Sequence, residues 1–255
     1  MPCSPQEPSS LHVGRAAAAA KAERNTIDHP FHNDTMVELL AVMVSLLENS
    51  RAELRGHSSQ VTRCLKRVAE RMKLDKETVY AVTVASFIHD IGKMGQFHLT
   101  ALNVAEYEGH KVAAQKSYDT PLRLLESVGL VQQTRDAVFH MYERFDGKGF
   151  PDGLVGKEIP LGARLLAVAD TYADLTQNSR NPFRKTLSPQ EAVGVLQKHQ
   201  GEVFDPSLVE LCRQSSYDVT SSACDAVQHG LAIPTAAASY TLGIPHGSAG
   251  LEINL

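Results

Sequence analysis

Apolar residues recur three and four positions apart along most of the chain, and no stretch alternates apolar and polar residues as a half-buried strand would. A helix is predicted over 35–49, where Thr35-Met36-Val37-Glu38 has capping-box form ahead of Leu39, Leu40, Val42, Met43, Leu46 and Leu47. After Asn49-Ser50 a second helix carries Glu53, His57, Val61, Leu65 and Val68 along one face. Asp75-Lys76-Glu77-Thr78 opens a third, in which Val79, Val82, Ala85, Phe87, Ile88 and Ile91 form a broad apolar surface before Gly92. The pattern is weaker over 103–117. Asp119-Thr120-Pro121 then puts a cap ahead of Pro at the first helical position, with Gly129 closing that helix. Further helices are predicted over 132–145 and 161–175, from the capping box Ser188-Pro189-Gln190-Glu191 to Gly201, and from Asp205-Pro206 onward. The glycines and proline of 146–153 mark a structured loop between two of them. The predicted class is all-α, a helical bundle.

Composition bounds the rest. At 255 residues the chain can bury a substantial core. Residues 1–33, which include the run Ala16–Ala20, read as a tail or linker, 34–214 as the helical domain, and 215–255 as an irregular tail rich in Ser, Ala and Gly. A net charge of -4 without a long basic run argues against a nucleic-acid polymer as partner. Cys3, Cys64, Cys212 and Cys224 form no CxxC pair, which fits thiols in a reducing compartment. The apolar run from Leu39 to Leu47 is too short to span a bilayer, and the N-terminus has no charged segment followed by an apolar core. The expected location is cytoplasmic.

The candidate chemistry lies in the third helix. His89-Asp90 ends an apolar surface, and an ionised carboxylate buried there needs compensation. An ordinary His–Asp hydrogen bond supplies one kind, and a divalent ion held by imidazole and carboxylate supplies another. His57 lies on the preceding helix with Glu53 four residues before it. Taken alone it fits a half-buried surface histidine. Asp170 closes the apolar run Ala163–Ala169 apart from Arg164, with Asp174 one turn on, so two like charges share a face. A cation nearby or a pair with Arg164 or Lys93 would answer that. Lys93, just past Gly92, can reach over a site and hold a phosphate oxygen as a point charge, or sit solvated beside a helix C-terminus.

These residues and their order resemble the HD superfamily of phosphohydrolases, with His57, His89-Asp90 and Asp170 matching its H…HD…D metal quartet. His89-Asp90-Ile91-Gly92-Lys93, the loop Asp146-Gly147-Lys148-Gly149-Phe150-Pro151-Asp152-Gly153-Leu154, Ile159-Pro160-Leu161-Gly162-Ala163-Arg164 and Phe204-Asp205-Pro206 are similar to its HD-GYP subfamily. The resemblance covers roughly residues 50–212. It implies a helical domain that binds divalent metal, Fe or Mn first and Mg, Ni or Zn next, and hydrolyses cyclic di-GMP in bacterial signalling.

The departures shape what is expected. The tyrosine of the GYP loop is Phe150, the HHE triplet falls on Met141-Tyr142-Glu143, and the third-helix histidine has no counterpart in Lys116-Ser117-Tyr118-Asp119. His57, His89, Asp90 and Asp170 are therefore the expected ligands of one ion, with Glu53 and His140 as auxiliary candidates. The resemblance assigns catalytic roles to Asp90 and Lys93, and substrate binding to Lys93, Lys148, Phe150, Arg180 and Arg184. Three functions fit this pattern. One is a phosphodiesterase, slowed by the loss of two-metal chemistry. Another is an inactive module that binds a cyclic dinucleotide, a protein partner or a second copy of itself. The third is a one-metal hydrolase of mononucleotides.

Overall fold

In the computed structural model the described residues are 30–93 and 98–215, so most of the tails expected at 1–33 and 215–255 lies outside them. The first helix, α1 (Pro30–Asn49), starts five residues before the predicted cap at Thr35 and takes in part of the predicted tail. Its Leu40 and Val44 face inward, whereas Met36, Leu39, Val42, Met43, Leu46 and Leu47 are 39–70% exposed. A single 3-10 turn, Ala52–Leu54, separates it from α2 (His57–Met72). Glu53 sits in that turn, so the predicted continuous face from Glu53 to His57 does not exist. Gly56 at φ +78 breaks it by taking the left-handed conformation that glycine adopts readily.

The α3 helix (Lys76–Ile88) begins as predicted, with the Asp75 carboxylate accepting from the backbone N–H of Thr78 at 2.8 Å. The weak pattern over 103–117 resolves into α4 (Ala101–Glu106) and α5 (Glu108–Ser117), separated by Tyr107 in an extended conformation. Next come α6 (Thr120–Leu124) and α7 (Gln132–Phe139), both ending earlier than their sequence signals suggested. The loop at 146–153 leads through a 3-10 turn, Gly156–Glu158, into α8 (Leu161–Gln177). Ser188 and Glu191 cap α9 (Pro189–Lys198) reciprocally, and a last helical stretch runs over 206–215.

Helix α8 is the axis of the core, packing against α2, α3, α4, α7 and α9. Neighbours on every side explain why its sequence is apolar around its whole circumference. Ala163, Leu165, Leu166, Ala167, Val168 and Ala169 are all buried. Gly162 lets α7 come close, because a Cβ there would lie 2.9 Å from that of Ala137. The all-α expectation holds: among the described residues there is no strand, only an isolated bridge between Gln200 and Phe204. No described helix is long and apolar enough to cross a membrane.

Candidate metal centre

The cluster forms where helix ends meet the middle of α8. His57 is the first residue of α2, directly after Gly56. Glu48, near the end of α1, accepts from the backbone N–H groups of Gly56 at 2.9 Å and Ser58 at 2.8 Å, holding the start of α2. His89 caps the C-terminus of α3, and its Nδ1 donates to the Ser86 carbonyl at 2.8 Å. A carbonyl can only accept, so the bond fixes the ring with Nε2 directed away from its own helix. Asp90 follows in the turn that Gly92 completes at φ +79. Asp170 projects from α8 and is fully buried.

His57 Nε2 lies 3.0 Å from Asp170 Oδ1. His89 Nε2 lies 3.3 Å from Asp90 Oδ2 and 3.5 Å from Asp170 Oδ1, yet makes no well-aligned hydrogen bond. His98 joins this group, with Nε2 at 2.7 Å from Asp90 Oδ2 and 3.4 Å from Asp170 Oδ1. His57, His89, Asp90, His98 and Asp170 each offer a ligand atom, and all five atoms lie within 4.8 Å of one another.

The electrostatics follow from this crowding. Burial favours a neutral His89 ring, but the charges of Asp90 and Asp170 outweigh it and push the pKa up to about 9. Burial likewise opposes a charge on His98, and Asp90 and Asp170 again raise it well above the ordinary value. Desolvation alone would raise Asp90 and Asp170. The facing imidazoles instead hold both carboxyls well below the usual range. A cation suits this pocket, since His89 Nε2 and Asp170 Oδ2 are buried without a hydrogen-bond partner and are free to ligate one. Mixed imidazole and carboxylate donors at this spacing fit a divalent first-row ion.

The remaining predicted residues are distributed differently. Glu53 does not reach the cluster; it bonds Arg51 at 3.1 Å and Arg180 at 3.2 Å, because its 3-10 turn points it elsewhere. His140 is held by the Asp136 carbonyl and by Asp152, both at 3.0 Å, outside the ligand group. Lys93 is buried, with Nζ 3.2 Å from Met141 Sδ, 3.4 Å from the Tyr142 hydroxyl and 4.8 Å over the Tyr142 ring. Desolvation pushes its amine down to about 8, against the pull of Asp90, Asp170 and Asp119. The Phe150 ring stacks on Tyr142 at 5.6 Å and is buried, so it presents no stacking face for a base. Lys148 is exposed and bound to Asp146 at 3.4 Å. Arg180 and Arg184 line a cleft of about 370 Å³ together with His98, Tyr107 and His110.

His98 and its partner Asp174 carry the main geometric news. Asp174 stands out in the sequence as a second carboxylate on α8, but nothing there ties it to His98. His98 follows a stretch without period, so only its place nine residues after His89 could have drawn notice.

The chain matches the HD domain family over residues 41–208. It is 27% identical to a cyclic di-GMP phosphodiesterase of Thermotoga maritima, covering 74% of this chain and 52% of that protein. It is 31% identical to the cyclic di-GMP phosphodiesterase response regulator RpfG of Xanthomonas campestris pv. campestris, covering 56% of this chain and 38% of that protein. The chain thus spans about half or less of the length of these relatives. A cyclic GMP-AMP specific phosphodiesterase of Vibrio cholerae shares the fold, with a TM-score of 0.57 at 16% identity over 78% of this chain and 51% of that one. With the helical architecture, the buried His/Asp cluster and the matched span on one chain, the protein belongs to the HD domain family, whose phosphohydrolases bind divalent metals.

Proposed function

We propose that this domain is a metal-dependent phosphodiesterase that opens cyclic di-GMP to pGpG. One observation carries the reading: a buried cluster of imidazoles and carboxylates borders, through His98, a cleft lined by Arg180 and Arg184. The names of the relatives support the substrate class. His57, His89, Asp90 and Asp170 hold the ion, Fe or Mn by resemblance. When bound, such an ion supplies a Lewis acid that polarises the phosphoryl oxygens and lowers the pKa of water.

The protein's own groups do the rest. Asp90 is the most exposed member of the cluster, at 15% of its side chain, and faces incoming water. Its depressed pKa makes it a better orienting group than a base. Arg180, 70% exposed and anchored to Glu53, offers a guanidinium for a phosphate, as does Arg184 across the same cleft. Hydrolysis consumes one water: its oxygen bonds to phosphorus as the P–O3′ bond breaks, one of its protons ends on the leaving O3′, and the other is released to solvent from the new 5′-phosphate. Purified protein is expected to release pGpG, and Asp90→Ala to abolish release while the helical circular dichroism persists. Release by the variant at the wild-type rate would sink the assignment.

A second reading has support in the surroundings of Lys93. Met141 and Tyr142 fill the space beside its amine, and the described residues hold a single ligand cluster. That suits a module that binds the cyclic dinucleotide without turnover, distinguished by calorimetric binding of cyclic di-GMP or cyclic GMP-AMP with no pGpG or pGpA formed. The bare seam Met36-Leu39-Met43-Leu46, spaced three and four apart on α1, supports pairing with a second copy. Leu39→Glu with Leu46→Glu is expected to leave a monomer in sedimentation; equal sedimentation of wild type and variant would exclude that pairing.

A further inference from the structure

We propose that His98 is a ligand of the metal and Asp174 its positioning residue, so that the centre comprises three imidazoles and two carboxylates. This rests on the metal reading above and adds to it a ligand from outside the quartet. The Asp174 carboxylate can only accept, so the 3.0 Å contact makes His98 Nδ1 the donor. Nε2 is thereby turned to the cluster, 2.7 Å from Asp90, with the ring edge-on to His57 at 4.4 Å between centroids. Asn178, the C-cap just past the end of α8, donates to the same Asp174 oxygen at 2.7 Å. Asn103 donates to the His98 carbonyl at 3.1 Å. All four residues are buried.

A carboxylate behind a ligating imidazole fixes its tautomer and orientation and raises its basicity. That is what the Asn178–Asp174–His98 chain provides here. His98 also lines the cleft, so the same ring stands between the metal and the space for substrate. The rival reading makes His98 an imidazolium that bridges Asp90 and Asp170 in place of an ion. It predicts that removing the ring improves metal binding.

The test uses the full chain, stripped with chelator and titrated with Mn²⁺, with pulsed EPR of the Mn²⁺-loaded protein to count nitrogen couplings. His98→Ala and Asp174→Asn are each expected to weaken Mn²⁺ binding about 10- to 100-fold. His98→Ala should also remove one of three imidazole couplings, and added imidazole should restore part of the affinity. An unchanged Kd with unchanged couplings in both variants overturns the proposal, and so does tighter binding by His98→Ala. Should His98→Ala fail to fold, Asp174→Asn decides. His57→Ala separates the two levels. If it loses Mn²⁺ while His98→Ala keeps it, only the role of His98 fails; if wild type takes up no divalent ion, the metal reading fails as well.

Discussion

Glu48 controls the site without touching it, and Glu48→Gln tests this. Helix α2 has no acidic residue in its first turn and no side-chain cap of its own, so its leading N–H groups depend on a carboxylate from α1. Glu48 is 4% exposed and accepts from Gly56 and Ser58, flanking His57 on both sides. A glutamine keeps the shape but has one acceptor oxygen, and its amide nitrogen would meet the other N–H donor to donor. The variant loses one charge-assisted bond, worth about 1.5–3 kcal/mol. It also loses the favourable interaction with the helix dipole, about 0.3–1 kcal/mol. A net cost of about 2–4 kcal/mol follows from these two effects. At roughly 2–4 °C per kcal/mol for a domain of this size, the melting temperature should fall by about 4–16 °C. Because His57 rides on the same turn, the midpoint for Mn²⁺ uptake should rise in parallel. Urea denaturation and metal titration read both quantities. A variant within about 0.5 kcal/mol of wild type, with the same metal affinity, would refute the claim that this cap holds His57 in place.

Three further outcomes are expected. Chelator-treated protein should lose stability as pH rises from 6.5 towards 9. His89, raised in the fold to about 9, contributes fully below its unfolded pKa and loses that contribution above it. The lowered carboxyls of Asp90 and Asp170 give their share above about pH 4 and lose it in acid. Melting at 50 µM protein across pH 5–9 checks the sign, and saturating Mn²⁺ should remove the decline because the ion binds neutral imidazole. Lys93→Met should raise stability at pH 7 by up to about 3 kcal/mol, since it removes a buried amine whose pKa is driven down to about 8; a lower melting temperature would contradict this. Asp205→Ala should cost about 3–5 kcal/mol by stranding Arg164, which bonds Asp205 at 2.6 Å and the Ile159 carbonyl at 2.8 Å. Adding Arg164→Met should recover much of the loss in the same melting assay.

The legible parts of this fold were those whose causes lie within one helix. The apolar circumference of 161–175, the Asp75 cap and the Ser188/Glu191 box are local, and the structure has them where the chain pattern put them. Helix ends were less legible, because tertiary contacts decide them. Glu48 reaches across from α1 to start α2 at His57, and no i-to-i+4 rule for Glu53 could anticipate that. Tyr107 breaks one predicted helix into two with neither Gly nor Pro at the break, so nothing in its residue type signals the extended conformation it adopts.

The same distinction explains the site. Of the five clustered residues only Asp170 lies in the interior of a helix. His57 begins one, His89 caps another, Asp90 occupies the turn beyond it, and His98 comes two residues before the Thr100 cap of α4. Helix ends carry unsatisfied backbone groups, so they need outside partners and are fixed by them. A centre built there gains side chains that are not bound to a helix period. Its geometry then depends on supports such as Glu48 under His57, Ser86 under His89 and Asp174 under His98. Each support comes from elsewhere in sequence or from a turn behind the imidazole it holds. The four motif residues could therefore be read from their order, whereas the fifth clustered side chain, His98, and the carboxylate behind it required the folded chain.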